Sequence, residues 1–162
     1  MAMHSTAHYL LEGLGDVGID HVFANLGTDH VSLIEALADW KRQGRPVPAM
    51  VLCPHENVAM HMAGGYAAMT GHGQAVLVHV DAGTANASMG LHNLFRSRLP
   101  VFLMAGKAPY TIHGELPGSR DNYVHLSRIR TISAVWCGRT SNGNTTCHPA
   151  WSRRKRFAAA IR

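Results

Sequence analysis

The residue with the clearest chemical potential is Glu56, which follows Pro54 and His55. The residues after it predict a helix from His55 to Met69 that is mostly apolar or small, so Glu56 falls in the first turn. Three roles fit this position: a partner for the helix dipole, a metal ligand, or a catalytic acid/base. The histidines His55 and His61 lack the HExxH spacing of a zinc-binding helix. The rest of the pattern favours the acid/base role.

Short apolar segments alternate with helical ones up to Ala105. Strands are predicted at 21–26, 49–53, 75–80 and 101–105, and helices at 5–17, 32–40, 55–69 and 85–95. This alternation predicts an α/β fold in which a parallel sheet has helices on both faces. Ligands of such sheets bind at the carboxyl ends of the strands. Chemistry is therefore expected in the loops at 27–30, 54–56, 81–84 and 106–108.

Two further motifs suggest other functions but lack the required context. The glycines at 13–18 match the letters of the dinucleotide fingerprint GxGxxG, yet they end a predicted helix and precede a strand, the reverse of a Rossmann unit. Cys137, Cys147 and His148 could be part of a zinc site, but no paired CxxC spacing and no clear fourth ligand accompany them. Neither NAD nor a metal bound by this chain is expected.

The segment around Glu56 resembles the HE-x-x-A-x-x-x-A-x-G-Y-A-x-x-T-G pattern of thiamine diphosphate enzymes, especially the acetolactate synthase and benzoylformate decarboxylase group. It contains, in order, His55-Glu56, Ala59, Ala63, Gly65-Tyr66-Ala67 and Thr70-Gly71. The resemblance extends from about Thr6 to His125. It includes the sequence NLGTDH after the first strand and GTAN after the third.

This resemblance implies that Glu56 is catalytic. In the family, the glutamate hydrogen-bonds the aminopyrimidine ring of thiamine diphosphate, and the proton passed there leads to removal of the thiazolium C2 proton. Cofactor-binding roles are implied for Gly27, Thr28, Asp29, His30, Gly83, Thr84 and Asn86. Asp29 also matches a catalytic aspartate of the decarboxylase relatives, although an aspartate in a loop is more often a helix cap.

The resemblance further implies a 2-oxo acid substrate, whose identity it leaves open, and a homodimer, because the family's active site forms between two subunits. Residues 1–125 correspond to the N-terminal, pyrimidine-binding domain. The family's GDG motif, which holds Mg²⁺ and the diphosphate, belongs to a domain that this chain lacks. The chain is therefore expected to be truncated and inactive alone. The alternative is a non-catalytic remnant or a dimerising domain with a basic tail.

Charge divides the chain sharply at Leu126. Ten acidic and seven basic residues precede it, whereas eight basic and no acidic residues lie from Leu126 onward. Such a tail could bind nucleic acid through Arg153–Arg156. However, codons that can encode residues 125–133 read HFIQDTYDQ when one base is restored near the Leu126 codon, and this sequence resembles the family's continuation. Residues 126–162 are therefore expected to be out of frame and disordered, and no nucleic-acid partner is expected.

Bulk composition places the chain among globular proteins, since apolar residues make up 46% and charged residues 15%. No apolar stretch is long enough to span a membrane, and the first residues do not resemble a secretory signal. The three cysteines do not suggest a disulfide framework in a chain of this size. A cytoplasmic location without membrane contact is expected.

Overall fold

The structure, a computed structural model, describes residues 4–107 of the 162-residue chain. Its strands are β1 (His21–Ala24), β2 (Ala49–Leu52), β3 (Gln74–Val78) and β4 (Val101–Ala105). Its helices are α1 (Thr6–Asp16), α2 (Val31–Arg42), α3 (Glu56–Thr70) and α4 (Val80–Ser97), with a 3₁₀ turn at Thr28–His30. All strand pairs are parallel, in the order β2-β1-β3-β4. The predicted α/β class is confirmed.

The two faces of the sheet have separate cores because side chains alternate along each strand. Val22 and Leu77 lie on the face covered by α1 and α2, where they pack in one buried cluster with Leu14 and Trp40. The opposite face is covered by α3 and α4, whose buried residues share a second cluster. That cluster comprises Phe23, Cys53, Ala59, Met60, Ala63, Val76, Val78, Ala87 and Leu94. Helices therefore lie on both faces, as the alternating pattern predicted.

The strand order creates a crevice between the carboxyl ends of β1 and β3. From β1 the chain moves outward to β2, then returns past β1 to β3 on its other side. The connections on either side of this point lead to opposite faces of the sheet, so the loops after β1 and β3 diverge from it. Crevices at such reversals are where ligands bind in open parallel sheets. The segment after β1 and the start of α4 both lie here.

The sequence prediction misplaced the boundaries around this crevice. Strand β1 ends at Ala24 rather than 26, and β3 ends at Val78 rather than 80. Helix α4 begins at Val80, so the predicted loop at 81–84 is wrong and those residues form its first turns. In the structure, Thr84 Oγ donates to the oxygen of Val80 within the helix at 2.6 Å.

The glycine motif at 13–18 lies where the prediction placed it, ending α1 and preceding β1. Gly18 has a φ of 79°, the left-handed conformation that glycine favours in a turn. Within residues 4–107, no helix is long and apolar enough to cross a membrane. Residues 126–162, with Cys137, Cys147 and His148, lie outside the described part of the chain.

Candidate active site

Glu56 is the first residue of α3, and the helix start determines where its carboxyl group lies. His55 precedes it in an extended conformation, and His55 Nδ1 accepts a hydrogen bond from the backbone N–H of Asn57 at 3.1 Å. This contact satisfies one of the amide groups left unpaired at a helix start. The side chain of Glu56 points between α3 and α4, and the residue is only 7% exposed. A carboxyl group so placed is withdrawn from bulk water.

Two residues of α4 surround the Glu56 carboxyl group. Asn86 Nδ2 donates a hydrogen bond to Oε2 at 3.0 Å. On the other side lies Gly83, where an added Cβ atom would stand 3.0 Å from Oε1. Within residues 4–107, no hydrogen bond to Oε1 is formed. Oε2 is therefore held in place by a hydrogen bond, whereas Oε1 packs against Gly83 without one.

The close approach of α3 and α4 depends on further glycines. A Cβ atom at Gly90 would lie 2.6 Å from the Cβ of Met60, and one at Gly64 would lie 2.2 Å from Cδ2 of Leu94. A larger residue at Gly90 would separate the two helices, whereas one at Gly64 would require the end of the Leu94 side chain to move. Because Glu56 belongs to α3 and its partners belong to α4, this packing sets the distance between the carboxyl group and Asn86.

A second polar cluster lies after β1, centred on Asp29. The Asp29 side chain is 1% exposed and forms a short hydrogen bond with Nδ1 of His79. Its other oxygen, Oδ2, accepts the backbone N–H of Val80 at 3.3 Å. Nε2 of His30 also lies 3.3 Å from Oδ2. Asp29 therefore connects the loop after β1 to the start of α4 across the crevice.

His30 lies beneath this cluster, with both ring nitrogens engaged. Nδ1 accepts the backbone N–H of Gly27 at 3.0 Å, so the ring hydrogen is on Nε2, which lies 3.1 Å from the oxygen of Val78. Burial lowers the pKa of His30, and the nearby Asp29 carboxylate and Val78 oxygen only partly offset that effect. The neutral ring therefore suits this position.

Two glycines leave room for the Asp29 cluster. A Cβ atom at Gly27 would lie 2.1 Å from Nδ1 of His79, and one at Gly106 would lie 1.6 Å from Oδ2 of Asp29. Gly106 follows β4, and its N–H donates to the oxygen of Val78 at 2.9 Å. The ends of β1, β3 and β4 therefore meet around one buried carboxylate.

The structure thus divides the predicted site residues between two clusters. Glu56, Gly83 and Asn86 come together, whereas Gly27, Asp29 and His30 form the second cluster. Thr28 is exposed at the edge of the second cluster, and the Thr84 hydroxyl is bonded to its own helix. Helix α4 joins the clusters, because His79 and Val80 at its start contact Asp29 and its next turn contacts Glu56.

Sequence reasoning missed His79, and it placed Gly106 in a candidate loop without assigning it a role. His79 directly follows an apolar strand, which is the signal that could have identified it. Within residues 4–107, no three His, Cys, Asp or Glu side chains are grouped so that they could hold a metal ion.

Comparisons with known proteins show which protein family this chain resembles. Residues 4–126 match the family model described as thiamine pyrophosphate enzyme, N-terminal TPP binding domain. The Escherichia coli (strain K12) acetolactate synthase isozyme 3 large subunit is 30% identical over 130 residues, which cover 79% of this chain and 21% of the relative. A Mycobacterium tuberculosis (strain ATCC 25618 / H37Rv) protein described as a candidate acetolactate synthase large subunit, IlvX, is 37% identical over 102 residues, covering 62% of this chain and 18% of the relative.

A solved structure agrees with the sequence matches. The X-ray structure of a candidate thiamin diphosphate-dependent enzyme from Mycobacterium smegmatis superimposes with a TM-score of 0.60 and 28% sequence identity. The match covers 82% of this chain and 24% of that protein. The chain spans about a fifth of the length of the curated relatives that it matches.

Proposed function

The chain belongs to the thiamine pyrophosphate enzymes, whose N-terminal TPP binding domain it matches, and from this premise we propose that it supplies the cofactor-activating half-site of an enzyme acting on 2-oxo acids. The observation that carries the proposal is the Glu56 carboxyl group, buried with Oε2 bonded to Asn86 and Oε1 facing Gly83. The matches to acetolactate synthase large subunits support this substrate class. The chain alone is inactive in this proposal.

Glu56 is the proton-transferring residue of the half-site. Asn86 orients the carboxyl group through Oε2, and Oε1 gives and takes the proton. Because Gly83 has no side chain, Oε1 can lie close to the backbone of α4; a Cβ atom there would stand 3.0 Å from Oε1 and 3.4 Å from the Cβ of Val78. When bound, thiamine diphosphate supplies the electron sink that stabilises the charge left after decarboxylation.

The remaining predicted cofactor residues divide by how their side chains are engaged. We assign direct contacts to Gly27 and Thr28, at the edge of the crevice. Asp29, His30 and Thr84 are bonded within the protein, and we assign them to shaping the site. Ligands for Mg²⁺ and the diphosphate belong, in this proposal, to a domain beyond this chain. The expected cytoplasmic location remains a prediction.

We also propose that two copies of the chain associate through α3. Gly65 on this helix is exposed, and no atom would lie within 4 Å of a Cβ there, so another helix could approach closely. The same helix exposes Val58, Met62 and Met69. Light scattering of the purified chain over a range of concentrations should show a dimer. A monomer at every concentration would count against this association.

For the tail, we propose that residues 1–125 form the domain and that residues 126–162 are translated out of frame. The family match ends at residue 126, next to the position where acidic residues cease, which supports this boundary. Sequencing the nucleotides around the Leu126 codon tests the proposal. A coding sequence in which no single-base change restores the family's continuation would contradict it.

The proposed function is tested by repairing the reading frame and measuring hydrogen–deuterium exchange at C2 of thiamine diphosphate. The repaired protein should exchange this proton rapidly. Glu56→Gln should slow exchange by roughly a hundredfold or more, because glutamine cannot transfer the proton, while cofactor binding is retained. Glu35→Gln, on the exposed side of α2, is the matched control and should exchange at the parent rate.

Equal exchange rates in the repaired parent and Glu56→Gln would refute the catalytic assignment and leave Glu56 as a helix-start residue. If the repaired protein bound no thiamine diphosphate, a non-catalytic remnant or dimerising domain would be the better description.

A further inference from the structure

We propose that His55 is a positioning residue for Glu56 and that its protonation switches this role off. The neutral ring caps α3 and holds the first turn, which carries Glu56. The protonated ring releases that turn and brings a positive charge beside the carboxyl group. The capping contact is a property of this chain alone, whereas its consequence for proton transfer rests on the proposed function of Glu56.

His55 caps α3 through a ring nitrogen. It occupies the N-cap position with an extended backbone, and its Nδ1 accepts the backbone N–H of Asn57 at 3.1 Å. A ring nitrogen that accepts a hydrogen bond carries no hydrogen, so the ring is neutral with its hydrogen on Nε2. The usual N-cap residues, serine, threonine, aspartate and asparagine, keep their accepting oxygen at neutral and mildly acidic pH. Histidine loses its acceptor in that range, because both ring nitrogens become donors on protonation.

The capping nitrogen also lies beside the Glu56 carboxyl group. His55 Nδ1 is 4.0 Å from Oε2, the oxygen to which Asn86 donates. Among the acidic side chains of residues 4–107, Glu56 is the one paired with His55. The His55 side chain is 53% exposed, so water can deliver a proton to it while the helix stays folded. A hydrogen on Nδ1 would be attracted to Oε2 and would compete there with Asn86.

Two effects of protonation act in the same direction on the helix start. The Asn57 N–H loses its acceptor, and the new positive charge lies at the helix end that already has a positive partial charge. Both effects loosen the first turn of α3. The 3.0 Å hydrogen bond between Glu56 and Asn86 joins this turn to α4, so it depends on where the turn is held. Protonation of His55 should therefore displace the carboxyl group from the position that the neutral ring fixes.

His61, further along α3, provides an internal contrast. Its Nδ1 lies 2.8 Å from the backbone oxygen of Asn57, which can only accept, so its hydrogen is on Nδ1. Its Nε2 then accepts from Asn93 Nδ2 at 3.3 Å. This tautomer is the opposite of the one that the cap requires of His55. Protonation of His61 also preserves its bond to Asn57, whereas protonation of His55 breaks its own.

The cap is tested by NMR of the 162-residue chain without cofactor. With ¹⁵N-histidine at a pH where the rings are neutral, His55 should show the Nε2–H tautomer and His61 the Nδ1–H tautomer. The resonances are assigned from His55→Asn and His61→Gln. An Nδ1–H tautomer for neutral His55 in the unmodified chain would overturn the proposal, whether or not any variant folds.

Exchange of the Asn57 amide hydrogen with water measures the cap directly. Relative to the intrinsic rate at each pH, exchange in the parent should rise roughly fivefold between pH 7.5 and 5.5, the ratio expected when one helix cap is lost. In His55→Asn, whose amide caps without taking up a proton, the relative rate should stay constant. In His55→Ala it should be high at both pH values. An equal pH dependence in the parent and His55→Asn would contradict the proposal.

The effect on Glu56 is measured as C2 hydrogen–deuterium exchange of thiamine diphosphate in the protein with its repaired reading frame. The rate of the parent relative to that of His55→Asn should fall severalfold between pH 7.5 and 5.5. His72→Gln, at an exposed position beyond α3, is the matched control and should follow the parent. A constant ratio would show that His55 does not position Glu56. If Glu56→Gln exchanged as fast as the parent, the proposed function would fail instead, and the NMR measurements would still decide whether His55 caps α3.

Discussion

Glu56 and Asp29 are both buried acidic residues near the start of a helix, yet the structure leaves them different chemistry. Asp29 has both oxygens engaged, one by His79 and the other by the Val80 N–H. Glu56 has one oxygen held by Asn86, while the other lies against Gly83 and forms no hydrogen bond within residues 4–107. A residue that transfers a proton needs such an available atom. The arrangement therefore favours Glu56 as the acid/base and Asp29 as a residue that acts through its neighbour.

His30 predicts a specific dependence of stability on pH. Because burial lowers its pKa below the ordinary value of 6.5, the unfolded chain takes up a proton on His30 before the folded chain does. Its contribution to stability is therefore present above pH 6.5 and is lost as the pH falls below it towards the folded-state pKa. Urea unfolding at pH 7.5 and 5.5 should show a smaller loss of unfolding free energy in His30→Gln than in the parent.

The matched control for this experiment is His72→Gln, at an exposed position beyond α3. It should show the parent's pH dependence. If His30→Gln lost as much unfolding free energy as the parent over this range, the buried neutral imidazole would not be the cause of the pH effect.

At the level of elements, the strands and helices follow from patterns visible in the sequence. The apolar runs around Phe23, Val51 and Val76 became β1, β2 and β3, and the small-residue segment after Glu56 became α3. These assignments succeeded because periodicity depends on neighbouring residues along the chain. The predicted start of α4 was wrong because it depends on contacts between residues that are far apart in the sequence. Gly83 lies in the helix and packs against Glu56 of α3, a contact between separate helices that local sequence cannot reveal.

Because local sequence does not show contacts between separate elements, only part of the site could be predicted. Glu56 and Asn86 were identified from motif resemblance, but their hydrogen bond depends on how closely α3 and α4 pack. The partnership of Asp29 with His79 joins positions far apart in sequence, through the parallel pairing of β1 with β3. Nothing in the residues near Asp29 specified that neighbour.

Packing between α3 and α4 makes Gly90 a sensitive position. In Gly90→Ala, the new Cβ would lie 2.6 Å from the Cβ of Met60 and 2.8 Å from Oδ1 of Asn57, so the helices must move apart. Overpacking of this kind costs about 1–3 kcal/mol, which should exceed the gain in helix propensity. Urea unfolding of the 162-residue chain should show a lower unfolding free energy.

Gly13→Ala is the matched control, because Gly13 is also helical and an added Cβ would meet no atom within 4 Å. It should leave stability unchanged or raise it by up to about 1 kcal/mol. Equal behaviour of the two variants would mean that α3 and α4 are not packed as closely as the structure indicates.

At the scale of the whole molecule, we propose that this chain activates the cofactor and that another domain binds the cofactor's diphosphate. The described residues provide a carboxyl group, an amide and glycine-lined space, which suit the ring end of thiamine diphosphate. The diphosphate is bound, in this proposal, through charge-assisted contacts and Mg²⁺ supplied by a domain beyond this chain. Because such contacts contribute much of the affinity, the chain should bind the cofactor weakly or not at all.

Calorimetric titration with thiamine diphosphate and Mg²⁺ should therefore give no measurable binding to the 162-residue chain and saturable binding to the protein with its repaired reading frame. Titration with thiamine, which lacks the diphosphate, should separate the two contributions. The repaired protein should bind thiamine much more weakly than thiamine diphosphate, because thiamine keeps the contacts to the ring but makes no contacts through a diphosphate. If the 162-residue chain bound thiamine diphosphate as tightly as the repaired protein, its own residues would hold the diphosphate. The proposal that another domain binds the diphosphate would then be wrong.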